Sequence, residues 1–391
     1  MARTFPRGFV WGTATAAHQV EGGNWNNDWW AWEHTPGSPC QEPSGDACDH
    51  YHRYRDDLDL LARLGFGAYR FSLEWSRIEP EDGEISIAAL DHYRRMGAAC
   101  HERGIVPIVT FHHFTTPRWV AARGGWAEPG TAERFARFCG RAATHLGDLI
   151  GRVCTLNEPN IVAEFGYRWG LFPPGRRDAA ERSRVNAIFL DAHRRAAAAI
   201  RDAGVRAPIG LTLALQDWQA VDGGEAVRDR ERHDMEDVYL EALRGDDFLG
   251  VQTYSRVRYG PDGLRAPEPG VPLTQMGYEF WPEALEACIR RAAALTGLPI
   301  LVTENGIGTA EDTERVAYVR RALQGVLACL ADGLPVQGYV YWSLLDNFEW
   351  ALGYRPTFGL VAVDRATQAR HPKPSAVWLG GIARANALDD P

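Results

Sequence analysis

The chain has 391 residues, of which 45% are hydrophobic and 14 are tryptophan, and its formal net charge is −9. This apolar content is sufficient for one large core or two of ordinary size. With 51 acidic and 42 basic residues the composition is mixed and moderately acidic, which argues against nucleic acid or anionic lipid as the main partner.

The sequence contains no signal for a membrane or for export. No stretch of about 18 apolar residues occurs, so we expect no transmembrane helix and no membrane partner. Residues 1–10 include two arginines and no hydrophobic segment of signal-peptide length, which argues against secretion. The seven cysteines are odd in number and widely spaced, as reduced thiols are, and we therefore expect a cytoplasmic protein.

One short segment contains three residues that commonly bind metals, namely Cys48, His50 and His52. No second cluster of such residues follows at a matching spacing, and two histidines at a helix start are usually surface or packing residues. We therefore predict no metal site.

Short apolar segments alternate with longer amphipathic segments along the chain. The apolar segments are rich in β-branched and aromatic residues and are flanked by Gly or Pro. They are continuous runs, which is typical of parallel strands buried on both faces. They predict eight strands, at residues 9–13, 68–73, 106–111, 153–156, 209–215, 248–253, 300–303 and 338–344.

The segments between these strands have apolar residues at helical spacing. In the first of them Leu58, Leu61 and Leu64 share one face, and Gly65 follows as a stop signal. Several others end in a glycine that precedes a proline-containing strand start. The predicted helices cover residues 51–64, 87–103, 133–146, 185–202, 234–243, 282–295 and 314–331.

Eight strands that alternate with helices indicate either a closed barrel or an open, doubly wound sheet. No Pro-, Ser- or Gly-rich linker divides the chain. No glycine-rich phosphate loop follows any strand, which argues against a dinucleotide-binding fold. We therefore predict an α/β fold in which residues 1–391 form a single (β/α)8 TIM barrel.

In such a barrel, reactive side chains gather at the C-terminal ends of the strands. The residues at these positions are carboxylates, amides, histidines, an arginine and tryptophans. Amides and carboxylates hydrogen-bond hydroxyls, and an indole face packs on the C–H face of a sugar ring, so this set indicates a sugar site. The set comprises Gln19, Arg70, His112, His113, Asn157, Glu158, Tyr254, Glu304, Trp342, Glu349 and Trp350.

Two of these carboxylates, Glu158 and Glu304, each stand beside an asparagine at the end of an apolar strand. Either one alone fits a turn residue or a helix cap. Together they match glycoside cleavage, which needs one ionised and one protonated carboxyl group. Arg70 would keep Glu304 ionised. Retention of configuration requires the two carboxyl groups to face each other across about 5 Å.

Both carboxylates lie in recognisable motifs, TLNEP at residues 155–159 and TENG at residues 303–306. These resemble the acid/base and nucleophile motifs of glycoside hydrolase family 1, the β-glucosidase and β-galactosidase family. The resemblance covers nearly the whole chain and keeps the family's order. Further similar segments are residues 9–15, 19–22, 69–72, 75–77, 110–114, 342–350 and 358–360.

The resemblance implies a retaining β-glycosidase acting on a small-molecule β-glycoside with a terminal glucosyl, galactosyl or fucosyl residue. It implies no cofactor and no metal. Glu158 would be the general acid/base and Glu304 the nucleophile, with Arg70 and Tyr254 beside it. At the cleaved sugar, Gln19 and Glu349 would bind the 4-hydroxyl, and Glu349 would also reach the 6-hydroxyl. Asn157 would bind the 2-hydroxyl, and His113 and Trp350 would bind further hydroxyls. Trp342 would form the surface on which the sugar ring stacks.

Some of these residues also fit a structural role. Trp342 and Trp350 are compatible with core aromatics. His112 is expected to be structural, because only one of two adjacent strand residues faces the barrel interior.

The chain departs from the family pattern at three positions. Gln252 stands in place of the usual Asn after strand six, and we expect its longer side chain to shift neighbouring groups. Tyr278 and Trp281 stand where Trp and Tyr are frequent. The chain is also short for this family, which predicts trimmed loops at the barrel mouth and an entrance open to larger aglycones.

Two subclasses of the family are disfavoured. Glu349 occupies the position that 6-phosphoglycosidases fill with a small hydroxyl residue, and a carboxylate there repels phosphate. The thioglucosidase variant lacks the acid that Glu158 provides. Outside these subclasses, a transglycosidase with the same covalent intermediate and a catalytically silent sugar-binding barrel remain alternatives. A nicotinamide-dependent barrel oxidoreductase is remote, because no dinucleotide motif is present.

Overall fold

The computed structural model describes residues 3–389, and its central feature is a closed barrel of eight parallel strands. Each strand pairs with the barrel strands before and after it in the chain, and the eighth pairs with the first. The predicted (β/α)8 barrel is therefore confirmed. Its strands are β1 Val10–Ala14, β2 Ala68–Ser72, β3 Val106–His113, β4 Arg152–Asn157, β5 Ile209–Ala214, β6 Phe248–Gln252, β7 Ile300–Glu304 and β8 Val336–Trp342.

Nearly every residue of these strands is buried, because one face of the barrel wall meets the helices and the other fills the lumen. This explains why the strands are continuous apolar runs in the sequence. Their observed ends lie within two residues of the predicted ends.

A helix of the outer layer follows each barrel strand, so that the chain repeats one strand–helix unit around the ring. The fifth helix continues through a π-helical turn, His233–Asp237, into Val238–Leu240. The outer helices are α1 His50–Leu64, α2 Ile87–His101, α3 Gly130–Leu146, α4 Ala179–Asp202, α5 Glu225–Arg232, α6 Ala284–Thr296, α7 Asp312–Ala331 and α8 Pro374–Ala385.

Helix α1 shows how the sequence pattern determines the packing. Leu58 and Leu61 are completely buried against the barrel, and Leu64 is buried at the end of the helix. Gly65 ends the helix with a φ of +102°, and its N–H donates to the carbonyls of Leu61 and Ala62. The predicted glycine stop is therefore confirmed, because a residue with a Cβ adopts this backbone conformation only under strain.

Helices α5 and α8 differ from the prediction. The sequence predicts the fifth helix over residues 234–243, whereas the helix begins at Glu225. The pattern misses residues 225–232 because none of them is buried and they have no apolar face. Helix α8 was not predicted at all, because two adjacent glycines interrupt its apolar pattern. One of them, Gly380, lies so close to α1 that an added Cβ would be 1.9 Å from the carbonyl oxygen of Leu64.

The barrel lumen contains its own small apolar cluster, to which all strands except β5 contribute a side chain. It includes Ile108 of β3, Cys154 of β4, Phe248 of β6, Leu301 of β7 and Val340 of β8. These side chains fill the space between the two ends of the barrel. Chemistry at the C-terminal end is thereby separated from the N-terminal end, which we call the barrel floor.

Smaller pairings complete the described structure. Asp217–Ala220 and Arg256–Gly260 form a parallel pair outside the barrel, and Arg3–Thr4 pairs with Ala387–Leu388 so that the two described ends meet. Within residues 3–389, no helix combines the length and the apolar content needed to cross a membrane.

Candidate active site

The residues predicted to bind and cleave a sugar gather at the C-terminal rim of the barrel. Arg70 lies within β2, His113 and Asn157 end β3 and β4, and Glu304 ends β7. The remaining ones end β8 or lie in the loops that follow β1, β4, β6 and β8. Nine of the ten side chains are buried, and that of Tyr254 is half-buried. The structure thus brings the predicted set into one site.

Glu304 is held by three hydrogen-bond donors. Its Oε1 accepts from Nη1 of Arg70 at 2.5 Å and from Nε2 of Gln252 at 2.9 Å, and its Oε2 accepts from the Tyr254 hydroxyl at 2.5 Å. Burial raises the pKa of Glu304, but the Arg70 charge and the Tyr254 hydroxyl oppose this rise. These donors favour the ionised form of the carboxyl group.

Glu158 lies in a contrasting environment. No described residue donates a hydrogen bond to its buried carboxyl group. Burial raises the pKa of Glu158 well above the usual 4.5, and the nearby charge of Glu304 raises it further, while Arg70 acts in the opposite direction. The two carboxyl groups therefore belong to one electrostatic unit in which Glu158 holds the proton.

The backbone of Glu158 is unusual as well. Its φ of 42° and ψ of 54° lie in the left-handed region, where a residue with a side chain is strained. It directly precedes the short helix Pro159–Ala163. Backbone strain of this kind concentrates at functional sites, where it fixes the direction of a reactive side chain.

Arg70 links the site through a guanidinium group with no exposed surface. Its Nη1 contacts Glu304, and its Nη2 donates to Oδ1 of Asn157 at 2.6 Å. Gln252 donates to the same two oxygens at 2.9 Å each. Asn157 and Gln252 provide further hydrogen bonds that stabilise this buried charge pair, while Nε of Arg70 has no hydrogen-bond partner among the described residues.

Gln252 is the functional residue that sequence reasoning left outside the site set. The signal is present, because position 252 differs from the family pattern, but the sequence alone predicts only a shift of neighbouring groups there. The structure shows a bridge between Glu304 and Asn157.

His113 is neutral and has a defined tautomer. Oδ1 of Asn157 already accepts from Arg70 and Gln252, so its amide nitrogen faces Nε2 of His113 at 3.2 Å. Nε2 therefore accepts, and Nδ1 carries the proton. Burial and the Arg70 charge lower the pKa of His113 well below 6.5.

The opposite wall is formed by the loop after β8. Nε1 of Trp342 donates to Oε1 of Glu349 at 3.2 Å, and burial raises the pKa of Glu349 to about 8. The Trp350 ring lies nearly parallel to the ring of His113, with 6.1 Å between the centroids. It also lies nearly parallel to the ring of His18, with 5.8 Å between the centroids. Aromatic rings with adjacent hydrogen-bonding groups suit a sugar ring.

Several buried polar atoms in this site have no protein partner among the described residues. They include Oε1 of Gln19, Nδ1 of His113 and Oε1 of Gln252. Gln19 is fixed from its other end, because its Nε2 donates to the carbonyl oxygen of Phe348 at 2.7 Å. Buried polar groups without a partner are rare, and these atoms are available to bond the hydroxyls of a ligand.

Three histidines outside the site, namely His50, His52 and His112, have structural or surface positions. His112 packs edge-on against Trp126 with 5.0 Å between centroids, and burial lowers its pKa to about 3. His50 is hydrogen-bonded to Asp57, and His52 is exposed on the surface. Within residues 3–389, no group of three or more His, Cys, Asp or Glu side chains is arranged to hold a metal ion.

Known proteins are similar to this chain over nearly its full length. The model of Glycosyl hydrolase family 1 matches residues 1–246 and 251–388. Beta-glucosidase A of Thermotoga maritima is 33% identical, with 99% of each chain covered. A bifunctional beta-D-glucosidase/beta-D-fucosidase of Bifidobacterium breve is 35% identical, with 97% of this chain and 98% of the relative covered.

Solved structures agree with these relatives. The crystal structure of beta-glycosidase BGL167 has a TM-score of 0.93 and 51% identity, and the match covers 99% of both chains. The Thermotoga maritima beta-glucosidase in complex with deoxynojirimycin has a TM-score of 0.92 and 31% identity over 99% of this chain and 100% of that chain. The present chain therefore belongs to glycosyl hydrolase family 1 and is a glycoside hydrolase.

Proposed function

We propose that this protein is a retaining β-glucosidase that removes the terminal non-reducing β-D-glucosyl residue from small glycosides by double displacement. The observation that carries the proposal is the unequal environment of two buried carboxyl groups. Glu304 accepts three hydrogen bonds, whereas Glu158 accepts none from the described residues. A retaining glycosidase needs this difference, because one group attacks as a carboxylate while the other donates a proton.

In the first step, Glu304 attacks the anomeric carbon while Glu158 donates its proton to the glycosidic oxygen. The bond between that carbon and oxygen breaks, and the aglycone leaves as a neutral alcohol. Oε2 is the better placed attacking atom, because it accepts one hydrogen bond and Oε1 accepts two. Arg70 and Gln252 hold Oε1 and so orient the carboxylate.

In the second step, water attacks the anomeric carbon and Glu158 takes its proton. Esterified Glu304 carries no charge, so the repulsion that helped to raise the pKa of Glu158 is removed. The pKa of Glu158 then falls, and the same group that donated a proton becomes a base. The bond between the sugar and Glu304 breaks, and the carboxylate is regenerated.

The sugar itself would be oriented by the polar atoms that the protein leaves unpaired. Gln19 and Glu349 bind the 4-hydroxyl, Asn157 binds the 2-hydroxyl, and Glu349 also reaches the 6-hydroxyl. Support comes from the free Oε1 of Gln19 and the free Nδ1 of His113, which face no described protein partner. Trp342 provides the stacking floor, and Trp350 adds a further contact.

The glucosyl preference is supported by relatives. The Thermotoga maritima and Acetivibrio thermocellus relatives are named beta-glucosidase A, and the Bifidobacterium breve relative acts on β-D-glucosides and β-D-fucosides. We therefore include β-D-fucosides as secondary substrates, and β-D-galactosides as the further glycone that the family resemblance implies. We propose an unphosphorylated sugar, because Glu349 stands where the 6-phosphoglycosidases of the family have a small hydroxyl residue that admits the phosphate.

The proposal also includes an open entrance, one domain and a cytoplasmic location. The alignment with the first relative runs over 443 positions against 391 residues, so that protein has segments with no counterpart here. Fewer loops favour larger aglycones.

All seven cysteines are free thiols, which suits a reducing compartment.

The test is to trap the covalent intermediate with an activated 2-deoxy-2-fluoro-β-D-glucoside and to map the labelled peptide by mass spectrometry. We expect one label per chain, on the peptide that contains Glu304. Glu158→Gln should still be labelled, because an activated leaving group departs without a proton. Glu304→Gln should not be labelled.

Three results would contradict the proposal. A label on another carboxylate would remove Glu304 from its role. Turnover without any label would oppose a covalent mechanism, and binding without turnover would indicate a silent sugar-binding barrel. Product analysis with an added alcohol or sugar acceptor separates hydrolysis from transglycosylation, and we expect free glucose as the main product.

A further inference from the structure

A cavity of about 380 Å³ lies at the barrel floor, at the end of the barrel away from Glu158 and Glu304. Its walls come from the N-terminal ends of β4, β5, β6 and β8 and from the loop between α4 and β5. We call it the floor pocket, and its lining residues are Arg152, Arg201, Arg206, Pro208, Asp247 and Gln337.

The floor pocket concentrates positive charge in a chain whose net charge is −9. Three of its six lining residues are arginines, and only one is acidic. That acid, Asp247, is already engaged, because its Oδ2 accepts from Arg201 and from the backbone N–H of Ile209. Arg152 and Arg206 are therefore left without a counter-charge.

Arg152 crosses the floor from β4 to the opposite strand. Its Nη1 donates to Oε1 of Gln337 at 2.8 Å, and its guanidinium lies 5.7 Å from the ring centroid of Phe248. Within residues 3–389, no carboxylate lies within ion-pair distance of it. Gln337 and Phe248 thus fix the guanidinium in place but do not neutralise it.

Arg206 lies in the loop between α4 and β5 and is exposed. Over the described part of the chain it makes neither a hydrogen bond nor an ion pair through its side chain. Arg206 thus brings an unpaired guanidinium to the pocket that Arg152 also lines. The two unneutralised guanidinium groups therefore face the same cavity.

We infer that the floor pocket binds a small oxyanion of the phosphate class, either as the free ion or as the end group of a phosphomonoester. A planar guanidinium donates two parallel hydrogen bonds to such an anion, and an arginine already held by neighbours loses little freedom on binding. The cavity is large enough for a phosphate with a small substituent.

The bound anion would stabilise the folded chain and would not enter the glycosidase reaction. The lumen cluster around Phe248 and Leu301 separates the two ends of the barrel. Any ligand that binds only the folded state raises its stability in a saturable way. The inference is thus independent of the proposed glucosidase mechanism.

The test uses the full chain and inorganic phosphate, in calorimetric titration and in thermal unfolding at constant ionic strength with chloride as reference. We expect saturable binding of one phosphate per chain. Arg152→Gln and Arg206→Gln should each weaken binding about tenfold or more, because each removes a charged hydrogen-bond partner. Arg206→Gln removes no side-chain hydrogen bond or ion pair among residues 3–389, so we expect its fold to be retained.

Arg195→Gln is the matched control, since Arg195 is an exposed residue of α4 paired with Asp191 and lies outside the floor pocket. Its phosphate affinity should equal that of the wild type. Phosphate also stabilises proteins by exclusion from their surface. A phosphate effect that is the same in Arg152→Gln, Arg206→Gln and the wild type would therefore overturn the inference, as would the absence of saturable heat.

Phenyl phosphate distinguishes the two sources of the anion. Competition between phenyl phosphate and inorganic phosphate would support a phosphomonoester ligand. Binding of inorganic phosphate and sulfate without phenyl phosphate would support the free ion. In both cases the loss of affinity in Arg206→Gln identifies the floor pocket.

Discussion

Nε2 of Gln252 lies 2.9 Å from Oε1 of Glu304 and equally far from Oδ1 of Asn157. Arg70 contacts the same two oxygens through its two terminal nitrogens. Glu304 and Asn157 are thus tied together twice, once by a charged group and once by a neutral amide. The length of a glutamine side chain allows this bridge, because its amide reaches from the end of β6 both to Glu304 on the neighbouring β7 and to Asn157 at the end of β4.

Removing this bridge should weaken catalysis. In Gln252→Leu, kcat/KM should fall by about 10- to 100-fold, since a hydrogen bond to a charged group contributes roughly 1.5–3 kcal/mol. The ionised form of Glu304 also loses a donor, so the acid limb of the kcat/KM–pH profile should move to higher pH. The kcat/KM of Gln252→Asn should lie between those of the wild type and Gln252→Leu, because the shorter amide keeps one of the two hydrogen bonds.

A merely structural role for Gln252 would give a different result. The variant would then lose thermal stability without any shift of the acid limb. Thermal unfolding measured beside the pH profile separates these outcomes.

The sequence was sufficient for the barrel and most of the site because both follow from position along strands. Polar residues such as Asn157 and Glu304 directly after apolar strands must meet at one rim, whatever the details of the loops. The motif matches then supplied roles for residues such as Gln19 and Trp350, whose loops give no such geometric rule.

Other features depend on contacts that are distant in the sequence. Gly380 is explained only by the approach of α8 to Leu64, and Glu225 begins a helix that has no buried face. The tautomer of His113 follows from the bonds already made by Asn157, and the bridge of Gln252 depends on where two other strands end. No local pattern encodes these relationships.

Tyr254→Phe removes the donor to Oε2 of Glu304. The Tyr254 hydroxyl lowers the pKa of Glu304, so its loss should move the acid limb of kcat/KM to higher pH. The value of kcat/KM should fall by about tenfold or more, because a hydrogen bond to a charged group is lost. Tyr278→Phe is the matched control, because the Tyr278 hydroxyl makes no hydrogen bond to Glu304, and its acid limb should stay in place. Equal shifts in both variants would contradict this role for Tyr254.

The effect of Glu158→Ala on kcat/KM should depend on the leaving group of the substrate. With a poor leaving group, kcat/KM should fall by about 10²- to 10⁴-fold, because the departing oxygen receives no proton. With an activated leaving group the first step survives and the second is slow. The alkaline limb, which reports loss of the Glu158 proton, should disappear.

Azide provides the decisive readout for Glu158. It needs no general base, so it should attack the glycosyl-enzyme in Glu158→Ala and partly restore turnover of activated substrates, giving a glycosyl azide. An absence of rescue, or rescue that is equal in the wild type, would contradict the assignment of Glu158.

Glu349 should make stability depend on pH. Burial raises its pKa from 4.5 to about 8, so between these values the unfolded chain releases a proton that the folded chain keeps. The free energy of unfolding therefore decreases as pH rises from about 4.5 to about 8, and this loss of stability stays constant above pH 8. Glu349→Gln is neutral at every pH. Its unfolding temperature should rise relative to the wild type from pH 5 to pH 8 and then level off.

Glu241→Gln is the control for this comparison, because Glu241 is exposed and makes no ion pair over residues 3–389. Its difference from the wild type should not change with pH in the same window. If Glu349→Gln shows an equally flat difference, the carboxyl group of Glu349 is ionised in the free enzyme at neutral pH. The hydrogen bond from Trp342 would then outweigh burial, and Glu349 would meet the sugar as a charged acceptor.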